Sequence, residues 1–291
     1  MSFSLSNPIA IFKNNLKLFR FLIKRKTSLI GLIIISIAFS VSITAPWISP
    51  HDPINVDMSH MLESPSSSHL LGTDVLGRDI LSRMIWGSRI SLQVSIISVF
   101  TGLFLGLFFG LVSGYYGGRI DYVIMRVVDI LLSFPTLILA LAISAMRGPS
   151  MGNTILALSV AMSPRYTRLI RGIVLSIREN DYIAAAKTSG ARDTNIILRH
   201  VLPNAAPPII VQATLSLASA TLAEAGLSFL GVGIRPPTPS WGNMISGGRA
   251  YLRIAPWISI FPGFAVMLLV FGFNLFGEGL RDFMDPRMRN M

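Results

Sequence analysis

Five side chains in this sequence stand where acid–base, proton-carrying or metal chemistry would draw on them. Asp129 and Glu224 lie within long apolar runs, and His51, His60 and His69 recur every nine residues. A carboxylate facing lipid costs roughly 2.5–3.5 kcal/mol on an insertion scale, so each acid belongs against protein or a water-filled cavity. Asp129 falls near one end of its run, close to Arg126, which fits an ion pair. Glu224 sits deeper, in Ala-Glu-Ala-Gly, and reads either as the lining of a pathway or as a hydrogen-bonded structural group. The histidines share their polar stretch with Asp52 and Asp57. A metal-capturing loop is one reading of them, but a period of nine fits neither one helical face nor one strand face. The stretch therefore reads as an ordinary polar loop without a metal. Cysteine is absent, which excludes disulfides, thiolate metal sites and cysteine nucleophiles. No Gly-Lys dipeptide occurs, so no phosphate-cradling P-loop is present, and HExxH is missing as well. No catalytic residue and no bound cofactor are expected.

The elements that hold these residues follow from composition. Hydrophobic residues make up 52% of the chain and charged residues 13%, with a mean hydropathy of +0.61. That leaves too little charge to cover a water-soluble globule of 291 residues. A spanning helix takes about 20 apolar residues. Leu29–Ile48, Leu92–Val112 and Ile258–Phe276 have that character, and Val127–Met146 has it with Asp129 near its start. Asn153–Pro164 reaches spanning length only by running on through Arg165 toward Ile177, and Ala205–Leu230 contains Pro207, Pro208 and Glu224. The expectation is an all-α polytopic membrane protein with six transmembrane helices.

Basic residues orient them. With both termini inside, residues 1–28, 113–126, 165–204 and 281–291 hold 18 of the 25 Lys and Arg, as the positive-inside rule requires. The first apolar run ends at Pro46-Trp47 without a small-residue cleavage pattern and reads as a retained anchor, with Leu16–Ile23 lying along the inner surface. The net charge of +11 then faces anionic lipid headgroups and calls for no nucleic acid. Within the second run Gly102, Gly106, Gly110 and Gly114 recur at intervals of four, a smooth face for close approach of another helix or subunit. Pro135 removes a backbone hydrogen bond in mid-span and should kink that helix.

The largest loop on the inner side carries Ile183–Asn204. It reads as two short helices. Ala184–Lys187 favours helix and has little bulk, Gly190 can close it in left-handed geometry, and Asp193 or Thr194 can cap the next. Ile196, Ile197 and Val201 form an apolar stripe, and Pro203 ends the second helix. A small half-apolar helical knob of this kind suits a groove on a partner.

These residues carry a resemblance. Ala185-Ala186, Gly190 four residues after Ala186, and Leu202-Pro203 are similar to the Glu-Ala-Ala loop of ABC importer permeases, with Ala184 in place of the glutamate and His200 in place of an isoleucine. Leu71-Gly72-Thr73-Asp74, Gly77–Arg83, Leu227–Gly231, Pro236–Gly242, Asp282 and Asp285-Pro286 resemble the C-type permease of the dipeptide, oligopeptide and nickel importer family, over residues 27–288. The resemblance implies a type I ABC importer permease fold in a bacterial cytoplasmic (inner) membrane. It also implies a B-type permease partner, two cytoplasmic ATPases that bind ATP and Mg, and an extracytoplasmic binding protein. Peptide is the implied cargo, with nickel or metal chelates and glutathione as alternatives. A proton-coupled secondary transporter using Glu224 or Asp129 is a distant alternative, disfavoured because the spans show no inverted repeat. The expected organisation is an anchor and outer loop over 1–90, a five-helix permease core over 91–282 with the coupling loop 178–204, and a tail over 283–291. Ala185, Ala186, Gly190, Ile197, Arg199 and Pro203 are the expected ATPase contacts, and Trp241 the expected contact of the binding protein.

Overall fold

The structure is a computed structural model and describes residues 25–284. The expected surface helix at Leu16–Ile23 and the Asp285-Pro286 part of the tail lie outside the described residues.

Helix α1 (Lys26–Ile48) turns Ile30, Ile33, Ile37 and Ile43 outward, and these side chains are exposed as lipid-facing residues would be. Its opposite face is smooth. A Cβ on Gly31 would stand 2.7 Å from the Phe276 amide nitrogen and 2.8 Å from the Gly272 carbonyl, so α1 lies backbone on backbone against the last helix. Arg25 and Asp282 form an ion pair at one end of that contact.

Between α1 and α2 (Ile80–Tyr116, 37 residues) the chain folds into a compact loop. Asp74 organises it. The buried carboxylate accepts from the Leu76 amide (2.8 Å), the Arg78 amide (3.1 Å) and Arg78 Nε (2.7 Å), with Arg83 Nε 3.5 Å away. Arg83 also donates to the Pro53 carbonyl at 2.9 Å, and Trp257 Nε1 donates to the Thr73 carbonyl at 3.1 Å. Gly77 has φ +69°, and a Cβ there would lie 1.6 Å from the Asp57 carbonyl oxygen. No other residue fits. Asp79 then caps α2 by accepting from the Ser82 amide at 2.7 Å.

The expected span Val127–Met146 is not one kinked helix. It is divided between α3 (Gly118–Leu132) and α4 (Thr136–Arg147), which meet at 89° across Ser133-Phe134-Pro135. Proline supplies no N–H and drives the residue before it out of helical geometry, so α3 must stop and α4 must begin afresh. Helix α5 (Met151–Arg178) is continuous through the buried Pro164. The stretch Asp181–Val201 forms α6 (Asp181–Thr188), α7 (Asp193–Ile196) and a π-turn (Ile197–Val201) that feeds directly into α8 (Leu202–Phe229). Short α9 (Trp241–Gly248) and long α10 (Trp257–Met284) complete the described chain.

By length and composition α1, α2, the α7–α8 run and α10 qualify as membrane spans, and the bent α3–α4 pair makes a fifth. The expected sixth, α5, has the length, but Arg165, Arg168, Arg171 and Arg178 on it keep it off that count.

The centre of the bundle is the contact of α2 with α5. A Cβ on Gly102 would meet the Ser159 carbonyl at 2.9 Å, one on Gly106 the Tyr166 Cβ at 2.3 Å, one on Gly110 the Ile170 Cβ at 2.8 Å and one on Gly114 the Val174 Cβ at 2.8 Å. Both sets of numbers rise together, so the two helices run parallel. Water offers no drive to pair helices in a bilayer, and the cohesion here is dispersion between surfaces that glycine lets meet. Gly106→Ala should therefore lower stability by about 1–3 kcal/mol through forced separation of the helices. Gly172→Ala, on the open face of α5 with no neighbour within 4 Å, should be neutral or stabilising; thermal unfolding of the two variants in one detergent measures the difference.

Candidate coupling loop and membrane cleft

The 181–203 segment packs onto the ends of α2 and α5 by its apolar side chains. Ile183, Ile196 and Val201 are fully buried, together with Tyr115, Tyr166, Ile170 and Val174. The stripe expected to fill a partner's groove thus faces the chain's own helices. The exposed residues are mostly small or polar: Ala184, Ala185, Lys187, Thr188, Ser189 and Gly190, then Arg192–Asn195 and Arg199, with Tyr182 and Leu198 among them, while Ala186 and Ile197 are half-buried. Leu198, at 61% exposure, and Tyr182, at 44%, are the large side chains of the exposed face.

Local chemistry explains the shape. Gly190 adopts φ +78°, which ends α6, and a Cβ there would have open space around it. Its role in the fold is therefore conformational. Asp193 does not cap α7, whose N-cap is Arg192. Its carboxylate is engaged elsewhere, accepting from the Tyr115 hydroxyl at 2.6 Å. Pro203 does not end a helix but stands in the first turn of α8. A proline at that position would clash with the carbonyl four residues earlier, and the π-turn Ile197–Val201 widens the backbone just ahead of it, with the Leu202 amide donating to the Ile197 carbonyl. The loop is thereby joined to α8 without a hinge.

A second set of bonds ties the loop's base to the bundle. Arg178 donates to the Tyr115 carbonyl at 3.0 Å, and Lys187 lies over the Tyr115 ring, 4.9 Å from its centre. Asp121 on α3 accepts from Arg171 Nε (2.5 Å) and Nη2 (2.6 Å) and from the Ser113 hydroxyl (2.6 Å), a bidentate, charge-assisted arrangement. Asp129 pairs with Arg168 of α5. It does not pair with Arg126, which stacks on Tyr122 5.0 Å from the ring centre. Ion pairs at residues 121 and 129 thus fasten the α3 arm to α5.

Within the bundle, Glu224 is fully buried. Ser228 donates to its Oε1 at 2.9 Å, and the Ser91 and Ser240 side chains also adjoin its carboxyl group. It is enclosed between helices and does not border open space. Trp241, expected to meet a binding protein, is 4% exposed and donates from Nε1 to the Met84 carbonyl at 3.0 Å against Gly87. Its indole is a core group, because the Ser240–Asn243 capping box turns the first residue of α9 inward. An open cleft does exist between α4, α5 and α8, lined by Thr136, Leu137, Leu158, Arg165, Tyr166 and Ser219 among others. Pro135, at the start of α4, sets the angle of its wall. The stretch Gly148-Pro149-Ser150-Met151-Gly152 has the spelling of a hydrolase nucleophile turn, but it follows a helix, and Ser150 is the N-cap of α5, accepting from the Asn153 amide at 3.1 Å.

A bundle with these features matches known proteins. Residues 81–290 match the family described as binding-protein-dependent transport system inner membrane component, and residues 17–65 match the N-terminal transmembrane domain of oligopeptide transport permease C. The chain belongs to that transport family. It is accordingly a multi-pass membrane permease of the ABC importer class. It is 45% identical over 272 residues to the dipeptide transport system permease protein of Alkalihalophilus pseudofirmus, spanning 94% of this chain and 90% of the relative. It is 40% identical over 292 residues to the di/tripeptide transport system permease protein of Pseudomonas aeruginosa, spanning 98% and 96%. A glutathione transport system permease protein of Pectobacterium atrosepticum is 40% identical over 260 residues, 89% of this chain and 85% of the relative. Among solved structures, the inward-facing MetNI methionine ABC transporter matches with a TM-score of 0.58 at 20% identity over 71% of this chain and 98% of the other. An amino acid ABC transporter with histidines matches at 0.53 and 16%, over 72% and 95%. These neighbours establish the fold as that of an ABC importer permease.

The clamp on the permease's loop makes a direct prediction. Tyr115→Phe removes the donor to Asp193, an exposed acceptor that water can serve, at a cost of about 1 kcal/mol. Amide exchange across residues 193–201 should quicken about fivefold while α2 stays protected, as hydrogen exchange read by mass spectrometry would show.

Proposed function

We propose that this permease forms half of a translocation pore for short peptides across the cytoplasmic membrane and receives its drive through the 181–203 loop. The chain crosses the membrane six times with both termini in the cytoplasm, and α5 is the fourth crossing, added to the five that length and composition give. The B-type permease completes the pore on the side of the α4–α5–α8 cleft. Two cytoplasmic ATPases hold ATP and Mg and grip the loop, and an extracytoplasmic binding protein delivers the peptide to the opposite face. This chain supplies no catalytic group. The 40–45% identity to permeases named for dipeptides and tripeptides supports peptide as cargo.

The observation that carries the coupling role is the division of the loop's two faces. Buried Ile183, Ile196 and Val201 lock it to α2 and α5, while the outward face has Ala185 and Gly190 where bulk is lowest and Leu198 as an exposed apolar side chain. A loop that is rigid on one side and smooth on the other transmits push and pull. Ile197 supports that face from below, Arg199 contributes a polar contact, and Pro203 passes motion into α8. Glu224 and Asp129 are structural in this scheme, enclosed by serines and paired to Arg168 respectively.

Ala185→Trp tests the coupling. The side chain is exposed in this chain, so the bulk disturbs nothing within the permease. In proteoliposomes holding the whole complex, uptake of a labelled dipeptide should fall about tenfold or more, equivalent to at least about 1.4 kcal/mol of lost coupling. The permease should still insert and melt as the parent does. Wild-type uptake should stop on ATP depletion and survive a protonophore. Full uptake by the variant, or uptake that collapses with the proton gradient alone, would overturn the proposal.

A further inference from the structure

The loop between α1 and α2 gathers histidines that lie far apart in sequence. The His51 and His69 rings are 4.8 Å apart between centres, and His60 and His69 are 5.5 Å apart. One donor atom from each of His51, His69 and Asp79 lies within 4.8 Å of the other two, and the same holds for His60, Glu63 and His69. His69 belongs to both triads. We infer that this loop binds one divalent transition-metal ion, with His69 as the central ligand, His51 and His60 as the flanking ligands, and Asp79 and Glu63 as carboxylates that orient the rings.

The hydrogen bonds already prepare the rings for that work. Asp79 Oδ1 stands 3.0 Å from His69 Nδ1 and Glu63 Oε2 stands 2.8 Å from His60 Nδ1. A carboxylate there accepts Nδ1–H and leaves Nε2 of each imidazole as the ligating atom, the carboxylate–histidine pairing that supports metal-bound histidines; Nε2 of His60 has Asp57 Oδ2 3.9 Å away, which the ion would displace. His51 faces the Ser68 carbonyl through Nε2 at 3.0 Å, which makes Nε2–H the donor and leaves Nδ1 as its ligating atom. Asp79 is 3% exposed and is held through its other oxygen by the Ser82 amide at the start of α2. Its pair with His69 is therefore fixed to the bundle.

The backbone is arranged to the same end. The hydroxyl of the buried Thr73 donates to the His60 carbonyl at 2.5 Å and accepts from the Glu63 amide at 2.8 Å, clasping the two residues that form one triad edge. Between them Leu62 takes φ +57°, a conformation that costs a non-glycine residue of order 1–3 kcal/mol. That strained turn brings Glu63 back onto His60. Two nitrogens at about 2.0–2.1 Å from a tetrahedral ion stand about 3.3 Å apart. Binding one ion therefore draws the exposed His51 and His60 rings in toward His69, about their hydrogen bonds to Ser68 and Glu63. Imidazole donors select zinc, nickel or copper over the oxygen-seeking calcium and magnesium. Bound there, the ion cross-links the chain leaving α1, the loop turn and the cap of α2.

The test uses tag-free permease co-purified with its partner subunits in nanodiscs and stripped with a chelator. Zinc is titrated against a chromogenic competitor, and bound metal is counted by elemental analysis. One zinc per permease chain is expected, unaffected by excess magnesium. Affinity should drop about tenfold or more in H60A and about 10–100-fold in E63Q, and the site should vanish in H69A. The His60 ring is exposed and meets only the carboxylates of Asp57 and Glu63, away from the Asp79 cap of α2, so H60A keeps its metal-free melting temperature and decides the matter even where H69A misfolds. No saturable zinc binding to the complex, or binding that H60A and E63Q leave unchanged, would overturn the assignment.

Discussion

Everything in this bundle rests on how closely α2 and α5 approach. Four glycines on one helix meet Ser159, Tyr166, Ile170 and Val174 of the other at distances no side chain would permit. In hydrocarbon there is no gain from hiding apolar surface, so the closeness of this seam decides the fold. The seam also decides topology. Parallel neighbours cannot be joined by a tight turn, and the α3–α4 arm exists to return the chain to the starting side. The Asp121–Arg171 and Asp129–Arg168 pairs hold that arm to the seam it serves.

The same seam positions the 181–203 loop proposed to couple to the ATPases. Tyr115 lies in the last turn of α2 just beyond the last glycine and is the residue on which the loop converges: its hydroxyl donates to Asp193, its carbonyl accepts from Arg178 and its ring lies under Lys187. The loop is thus indexed to the most rigid line in the molecule. On its far side the π-turn fuses it to α8, the helix that carries Ser219 and Leu222 of the cleft wall. Displacement at Ala185 has a short, stiff route to the membrane interior.

The sequence made the polytopic all-α fold legible, because apolar runs and arginine bias report directly on the bilayer. It also announced a smooth face on α2 through glycine spacing, though not which helix meets it. Pairing of faces was harder to read. The Ile196–Val201 stripe was expected to fill a partner's groove, and it instead packs on the chain's own helices, because an apolar stripe does not say which surface it covers. Trp241, expected to contact a binding protein, is buried in the chain's own core, since an aromatic residue near a membrane boundary can serve as core as well as surface. The clustering of the three histidines was not legible, because a loop held by Asp74, Thr73 and a left-handed Leu62 has no period for a sequence pattern to follow. Asp129 found Arg168 in place of the nearer Arg126 because a partner on another helix is invisible to local spacing. The missed close crossing of Gly31 and Gly272 was signalled by single glycines too isolated to stand out.

The right-angled elbow at Ser133-Phe134-Pro135 has one more implication. It lies about midway between the two ends of the α3–α4 arm, and all three residues are exposed in this chain. Where a helix stops, backbone carbonyls lose their partners, and where the next one starts, amides do. Hydrocarbon cannot satisfy either, so a solitary copy dissolved in lipid would present bare peptide groups to oil. Water or a neighbouring subunit has to cover that corner, which makes solitude in the bilayer a penalised state for this polypeptide.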